Sequence, residues 1–212
     1  GDRTVVGIAL EISAGNLYKK PLRGYIAEKG LLWQHSLHTA IAARELAKWT
    51  TSGLGPAVAY TAGLLHDIGK AVIDMWLADQ PELVSDQLDA GEQDFQEAER
   101  DRIQTDHAIV GARLLTAWKL PDSLQKAVAY HHEPACAHEA YRPLAYAVHL
   151  GDFLAMMRGT GTGVDTLHYT IDPDYAKYIE IEPQELDRVS FIVGQEYEKT
   201  VRAISASERA AP

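Results

Sequence analysis

Apolar residues recur along most of the chain at three- and four-residue intervals, and alternating apolar–polar runs are nearly absent. That pattern predicts helices rather than sheet. The spacing predicts helices over residues 3–14, 31–50, 56–77, 80–88, 93–118, 122–132, 141–158 and 183–204. Punctuation residues set several of these limits. Gly53, Gly55 and Pro56 precede the third helix, and Pro121-Asp122-Ser123 opens the sixth. Pro134 follows soon after the sixth, and Gly159-Thr160-Gly161-Thr162-Gly163 follows the seventh. Residues 159–182 are expected to be loop, with room for a short extended piece. The expectation is one all-α domain over residues 1–212, a helical bundle closed by the helix at 183–204.

Several helical stripes carry ionisable groups where apolar ones are expected. In 31–50, His35 shares a stripe with Leu32, Thr39, Ala42, Leu46 and Trp49. His107 lies in line with Ile103, Val110, Leu114 and Trp118, and His131 follows Leu124 and Val128 with His132 beside it. Asp152 stands four residues after Val148, which stands four after Leu144. The stretch Gly63-Leu64-Leu65-His66-Asp67-Ile68-Gly69-Lys70 adds an imidazole and a carboxylate in an otherwise apolar run. Five helices thus aim His35, His66, Asp67, His107, His131, His132 and Asp152 at one interior. Hydrogen bonds alone satisfy seven such groups with difficulty, because buried charges are paired or bound to metal. Neutral imidazole and carboxylate are suitable ligands for Fe, Mn, Ni or Zn.

Composition excludes several alternatives. The chain has 46% hydrophobic residues, enough for a core, which excludes intrinsic disorder. No apolar run approaches the roughly 18–20 residues that span a bilayer, and no membrane association is expected. A net charge of −10 repels phosphate backbones, so no nucleic-acid partner is expected. A lone cysteine, Cys136, excludes an internal disulfide framework and fits a reducing cytoplasm. Residues 79–106 hold ten acids against two arginines and read as a solvated face and loop.

The order His, His-Asp, His, His-His, Asp resembles the HD superfamily of metal-dependent phosphohydrolases in its multi-metal form. Trp33-Gln34-His35-Ser36, the GLLHDIGK stretch, Asp106-His107-Ala108-Ile109-Val110-Gly111-Ala112, Trp118-Lys119-Leu120-Pro121, His131-His132-Glu133-Pro134 and His149-Leu150-Gly151-Asp152 are most similar to its HDOD branch. That branch is the hydrolase-related output domain of bacterial signalling proteins, and the resemblance runs over about residues 1–158. Many HDOD members lack several metal ligands, whereas here the set is complete, as in the related HD-GYP phosphodiesterases. The Asp-Gly-x-Gly-Tyr-Pro run of those phosphodiesterases is missing after His-His-Glu, where the chain reads Pro134-Ala135-Cys136-Ala137-His138. The loop at 133–142, with Pro134 and Pro143 near its ends, is expected to be more rigid. HDOD proteins usually carry a further helical segment ahead of the part matched by residues 1–14, so a longer parent protein is expected.

Carried over residue by residue, the resemblance implies two divalent cations, Fe or Mn by preference, with Ni or Zn as alternatives. His35, His66, Asp67 and Asp152 would take one, and His107, His131 and His132 the other, with Asp67 bridging. Such a pair can activate water and clamp a phosphoryl oxygen. Lys70, one turn after His66-Asp67, is placed to stabilise charge on a transferring phosphoryl group, and an ordinary surface lysine is its alternative. Asp67 and Lys70 are therefore the catalytic candidates. His38 and His149 read as supporting or packed residues, and Glu99, two turns before His107, as within reach of a third metal. His138, His168 and Cys136 read as surface or loop residues. Two functions follow: a metal-dependent phosphohydrolase acting on a phosphoester or nucleotide, or a catalytically silent output module that binds a signalling protein partner.

Overall fold

The computed structural model describes Tyr18 and residues 20–79, 95–161 and 170–210. The helices expected over 3–14 and 80–88, and His168, lie outside the described residues.

Helix α1, Leu31–Leu46, is the axis of the fold. Its apolar residues face more than one side: Leu32 and Ala43 belong to one buried cluster, Leu37, Ile41, Ala42 and Leu46 to a second. A helix apolar nearly all round is a core helix. Helices α2 (Pro56–Leu65), α7 (Arg142–Met157) and α8 (Pro183–Ala210) pack against it. The approach of α2 is close: a Cβ at Gly63 would fall 2.8 Å from Ala40 Cα. Around this centre run α3 (Ile68–Leu77), α4 (Phe95–Ile103), α5 (His107–Ala117) and α6 (Asp122–Ala129). Helix α3 packs on α5, α5 on α6, and α6 on α2 and α7. Among the described residues, extended structure is limited to the isolated bridges Leu22–Ala27 and Thr50–Ile179. The fold is an all-α bundle, as expected.

Three expected helices are shorter or broken. Residues 56–77 form two helices, because Asp67 (φ −99°, ψ 9°) leaves the helical region between α2 and α3. Residues 93–118 break at Gln104, whose φ is 58°, and restart after Asp106. The helix at 122–132 stops at Ala129, so His131 and His132 lie in the turn beyond it. The apolar period runs through each break, and what bends the chain is tertiary contact that the period does not carry. The segment at 170–182 holds a 3₁₀ turn, Pro173–Lys177, and the bridge to Thr50. Helix α8 runs to Ala210, beyond the expected limit of 204. The 133–142 loop is built from the 3₁₀ turns Pro134–Cys136 and Glu139–Tyr141, and Arg142 Nε donates to the Ala137 carbonyl across it (2.9 Å).

His38 contributes to the seam between α1 and α8. Its ring stacks on Tyr197 with centroids 3.9 Å apart, and its Nδ1 donates to the Gln34 carbonyl. Burial pushes its pKa down to about 4 from 6.5, with Arg158 and His35 acting in the same direction against the Gln34 bond. A histidine depressed in the fold takes up its proton first in the unfolded chain. Its contribution is therefore complete above about pH 6.5 and is lost as pH falls toward about 4. The stability gap between wild type and His38→Phe, which keeps the stacking without the titration, should narrow across that window. Denaturant midpoints that differ by the same amount at both ends of the window would sink this assignment.

Candidate metal centre

The broken helices deliver the seven expected groups to one place. His35 comes from α1, and His66 and Asp67 form the turn between α2 and α3. His107 opens α5, His131 and His132 follow α6, and Asp152 comes from α7. Ligand-type atoms of Asp67, His107, His131 and His132 lie within 4.8 Å of one another, as do those of His35, His66 and Asp152. Two spatially clustered His/Asp groups therefore sit side by side, sized for divalent cations.

Asp67 joins them. Its Oδ2 lies 3.5 Å from both His35 Nε2 and His66 Nε2. Its Oδ1 lies 3.3 Å from His107 Nε2 and 3.7 Å from His131 Nε2. Asp67 occupies the N-cap position of α3 but makes no side-chain capping bond. An aspartate there ordinarily caps the helix, and here its carboxylate is turned toward the histidines instead. Asp106, at the start of α5, shows the ordinary behaviour: Oδ1 accepts from Ile109 N and Oδ2 from Arg100 Nε. Asp152 Oδ1 lies 2.9 Å from His35 Nε2 and 3.7 Å from His66 Nε2.

The ring hydrogen bonds decide which nitrogen faces inward. Nδ1 of His35, His66 and His131 meets the carbonyls of Thr160, Gly63 and Val128 at 2.7–2.8 Å. A carbonyl only accepts, so each Nδ1 carries the proton and each neutral ring turns an Nε2 lone pair inward. Yet His35 Nε2 lies 3.1 Å from His66 Nε2, and His107 Nε2 lies 2.9 Å from His132 Nε2. For His35 and His66, both with Nδ1 on a carbonyl, two lone pairs repel at that distance unless a proton or a cation stands between them. Asp67 Oδ1 and Oδ2 and Asp152 Oδ1 are likewise buried and accept no well-directed hydrogen bond. Their close neighbours are ion-pair partners, Lys70 Nζ at 2.8 Å from Asp67 Oδ2 among them. Converging imidazole nitrogens around under-satisfied carboxylates are what a divalent cation pair requires, and the residues fit it.

Electrostatics repeat this division in each half. Burial pulls His35 down, but the Asp152 carboxylate 2.9 Å away more than offsets it and leaves the ring raised. Burial leaves its neighbour His66 lowered. His107 is raised because Glu99 outweighs its burial, while burial and adjacent imidazoles hold His131 and His132 well below the usual range. Burial pushes Asp67 up, yet His66, Lys70, His107 and His35 hold its carboxyl well below the usual carboxylate range. Each half thus holds one histidine whose basicity a neighbouring carboxylate raises, beside histidines that burial keeps lowered, and cation binding there would displace protons.

Lys70 is not a surface lysine: it is 3% exposed and ion-paired to Asp67, with Nζ 5.7 Å from the Tyr25 ring centroid. His149 supports the His131 turn, with Nδ1 donating to the His131 carbonyl and Nε2 accepting from Asp172 N. Cys136 is exposed, as expected. The solvated reading of the acidic run needs correction, because Glu99 and Asp106 are wholly buried. Glu99 lies outside both ligand clusters and bonds His107 and Tyr25. The signal for Asp106 was present, an Asp immediately before a helix-forming run, but the surrounding acids concealed it.

The chain belongs to the HDOD domain family, whose model matches residues 1–134. Asp152 and its helix lie beyond that match. The chain is 29% identical over 151 residues to an uncharacterized protein of Treponema pallidum, covering 70% of this chain and 28% of the relative. This chain thus spans little more than a quarter of that curated relative. Among solved structures, it is similar to a candidate signal transduction protein of Marinobacter aquaeolei, with TM-score 0.71 and 21% identity over 96% of this chain and 44% of that one. A candidate phosphohydrolase of Shewanella amazonensis gives TM-score 0.55 and 25% identity over 76% of this chain and 53% of that one. No helix among the described residues is long and apolar enough to cross a membrane.

Proposed function

We propose that this HDOD domain is a metal-binding output module of a bacterial signalling protein. Its two cations would be held by His35, His66, Asp67 and Asp152 on one side and by His107, His131, His132 and Asp67 on the other. The observation that carries the metal reading is the facing of imidazole Nε2 atoms across 2.9–3.1 Å around Asp67 and Asp152. Mixed nitrogen and oxygen ligation favours Fe or Mn, with Ni or Zn as alternatives. Membership of the HDOD family supports the output role, and so does the burial of most of the site. His35, His66, Asp67, His107, His131 and Asp152 are each at most 3% exposed, and His132 alone of the seven is partly exposed. A group as large as a nucleotide would meet the centre at His132 and reach the other six only with movement of the surrounding helices. The partner expected is a signalling protein, in a cytoplasmic setting.

A second reading, a metal-dependent phosphohydrolase, is favoured by the complete ligand set and by Lys70 beside Asp67. The likeness to the Shewanella amazonensis protein supports it too. A bound cation pair would supply an activated water nucleophile and a clamp for phosphoryl oxygens. The chain's own residues would do the rest: Asp67 orients Lys70, and Lys70 supplies positive charge to a phosphoester. Metal analysis of protein purified without chelator, followed by assay against an activated phosphodiester, a phosphomonoester and nucleotides, separates the two readings. The output reading expects two metals per chain and no turnover. Metal-dependent turnover that Lys70→Ala slows while metal content holds would establish the hydrolase instead. Cyclic di-GMP is expected to be a poor substrate in either case, because the Gly-Tyr-Pro segment is replaced by the two-turn loop at 133–142. Selective cleavage of cyclic di-GMP over the generic diester would overturn that expectation.

A further inference from the structure

Glu99 is 0% exposed, and three donors converge on it. Tyr25 Oη donates to its Oε1 (2.6 Å), and the His107 backbone N–H donates to its Oε2 (2.7 Å). His107 Nδ1 lies 2.8 Å from Oε2 and 2.9 Å from Oε1. We infer that Glu99 is a positioning residue of the metal centre, one that fixes His107 in its Nδ1–H form with Nε2 aimed at Asp67 and His132. Tyr25 holds Glu99 in turn. The inference rests on the metal-binding reading.

The argument begins at the backbone. His107 is the first residue of α5, so its N–H is one of the helix's orphan donors. A carboxylate that only capped this N–H would have no need of the ring. Glu99 grips backbone and ring together, which removes rotation of the imidazole about its own side-chain bonds. Both carboxylate oxygens already accept, from the Tyr25 hydroxyl and the His107 N–H, and a third contact to them is met by a donor, so the ring nitrogen facing them carries the proton. The lone pair is thereby left on Nε2, which lies 3.3 Å from Asp67 Oδ1 and 2.9 Å from His132 Nε2. A neutral amide at position 99 reverses part of this. Its single oxygen cannot serve three donors, and its NH₂ can donate to Nδ1 and drive the ring proton to Nε2, where it blocks a cation. Carboxylates behind metal-ligating histidines typically change metal affinity about 10–100-fold when removed.

The test combines ring NMR with Mn(II) binding. In metal-free wild type at alkaline pH, heteronuclear NMR of the imidazole nitrogens should show His107 protonated on Nδ1. In Glu99→Gln the proton should move toward Nε2, and Mn(II) affinity at one of the two sites should fall about 10–100-fold while the other site still fills. Tyr25→Phe should weaken that site by a smaller factor with the Nδ1–H form retained, and Glu99→Asp should restore the Nδ1–H form. An Nε2–H His107 in wild type overturns the inference, and this measurement stands even if Glu99→Gln does not fold. Folded Glu99→Gln with unchanged tautomer and unchanged Mn(II) affinity at both sites also overturns it. Wild type that binds no divalent cation rejects the metal reading itself, an outcome distinct from either.

Discussion

Asp67→Ala is expected to abolish binding at both metal sites, taking metal content from two per chain to near none. Each Asp67 oxygen faces a different half of the site, Oδ2 toward His35 and His66 and Oδ1 toward His107 and His131. No other carboxylate oxygen among the seven groups faces both. The substitution has a second effect that must be separated from the first. Lys70 is buried and ion-paired to Asp67, and removing one partner of a buried pair costs about 3–5 kcal/mol. The double variant Asp67→Ala with Lys70→Met removes the stranded charge, so it should recover much of the lost stability. It should not recover metal. Elemental analysis beside denaturant unfolding distinguishes these outcomes, and two metals per chain retained in Asp67→Ala would defeat the bridging assignment.

The groups of the site were legible because a helical stripe exposes any polar residue that interrupts it. His35, His107, His131 and Asp152 each occupy a position where the period calls for an apolar side chain, and the structure places all four inside. The same period concealed the bends. Pro56 to Leu65 and Ile68 to Leu77 read as one helix since apolar spacing continues across His66-Asp67, whereas Asp67 leaves helical geometry there. Side-chain partnership across helices was also hidden. Lys70 three residues after Asp67 is an ordinary surface pairing in most helices, and only the packed bundle shows it buried. Glu99 and Asp106 sat in a run of ten acids whose average character is solvated, yet both are enclosed. Charge runs report a mean, and burial is decided residue by residue by what packs against each one. The two glycines of GLLHDIGK carried information of a different kind, since a missing side chain leaves no chemical signal until the neighbouring backbone is located.

Gly69→Ala is expected to be the most destabilising single-methyl change near the site. A Cβ at Gly69 would overlap the His107 carbonyl oxygen and fall 2.7 Å from the His107 carbonyl carbon and 2.8 Å from Gly111 N. All three are backbone atoms, so no side chain can rotate aside to accept the methyl. Relief requires α3 and α5 to separate at their N-terminal ends, where Asp67 and His107 face each other. Overpacking a close contact costs typically about 1–3 kcal/mol and more where backbone must move, so a loss of about 3 kcal/mol or greater is expected here. The damage should be local in kind. Gly63→Ala meets Ala40 Cα and N, also backbone, but presses on α1 near His35 and His66. Each substitution should therefore weaken Mn(II) binding chiefly in its own half of the site: Gly69→Ala at the half built on His107, His131 and His132, Gly63→Ala at the half built on His35, His66 and Asp152. Denaturant unfolding with Mn(II) titration of both variants tests this directly. A wild-type unfolding midpoint for Gly69→Ala would show that the two helices are not in the backbone contact on which the placement of Asp67 against His107 depends.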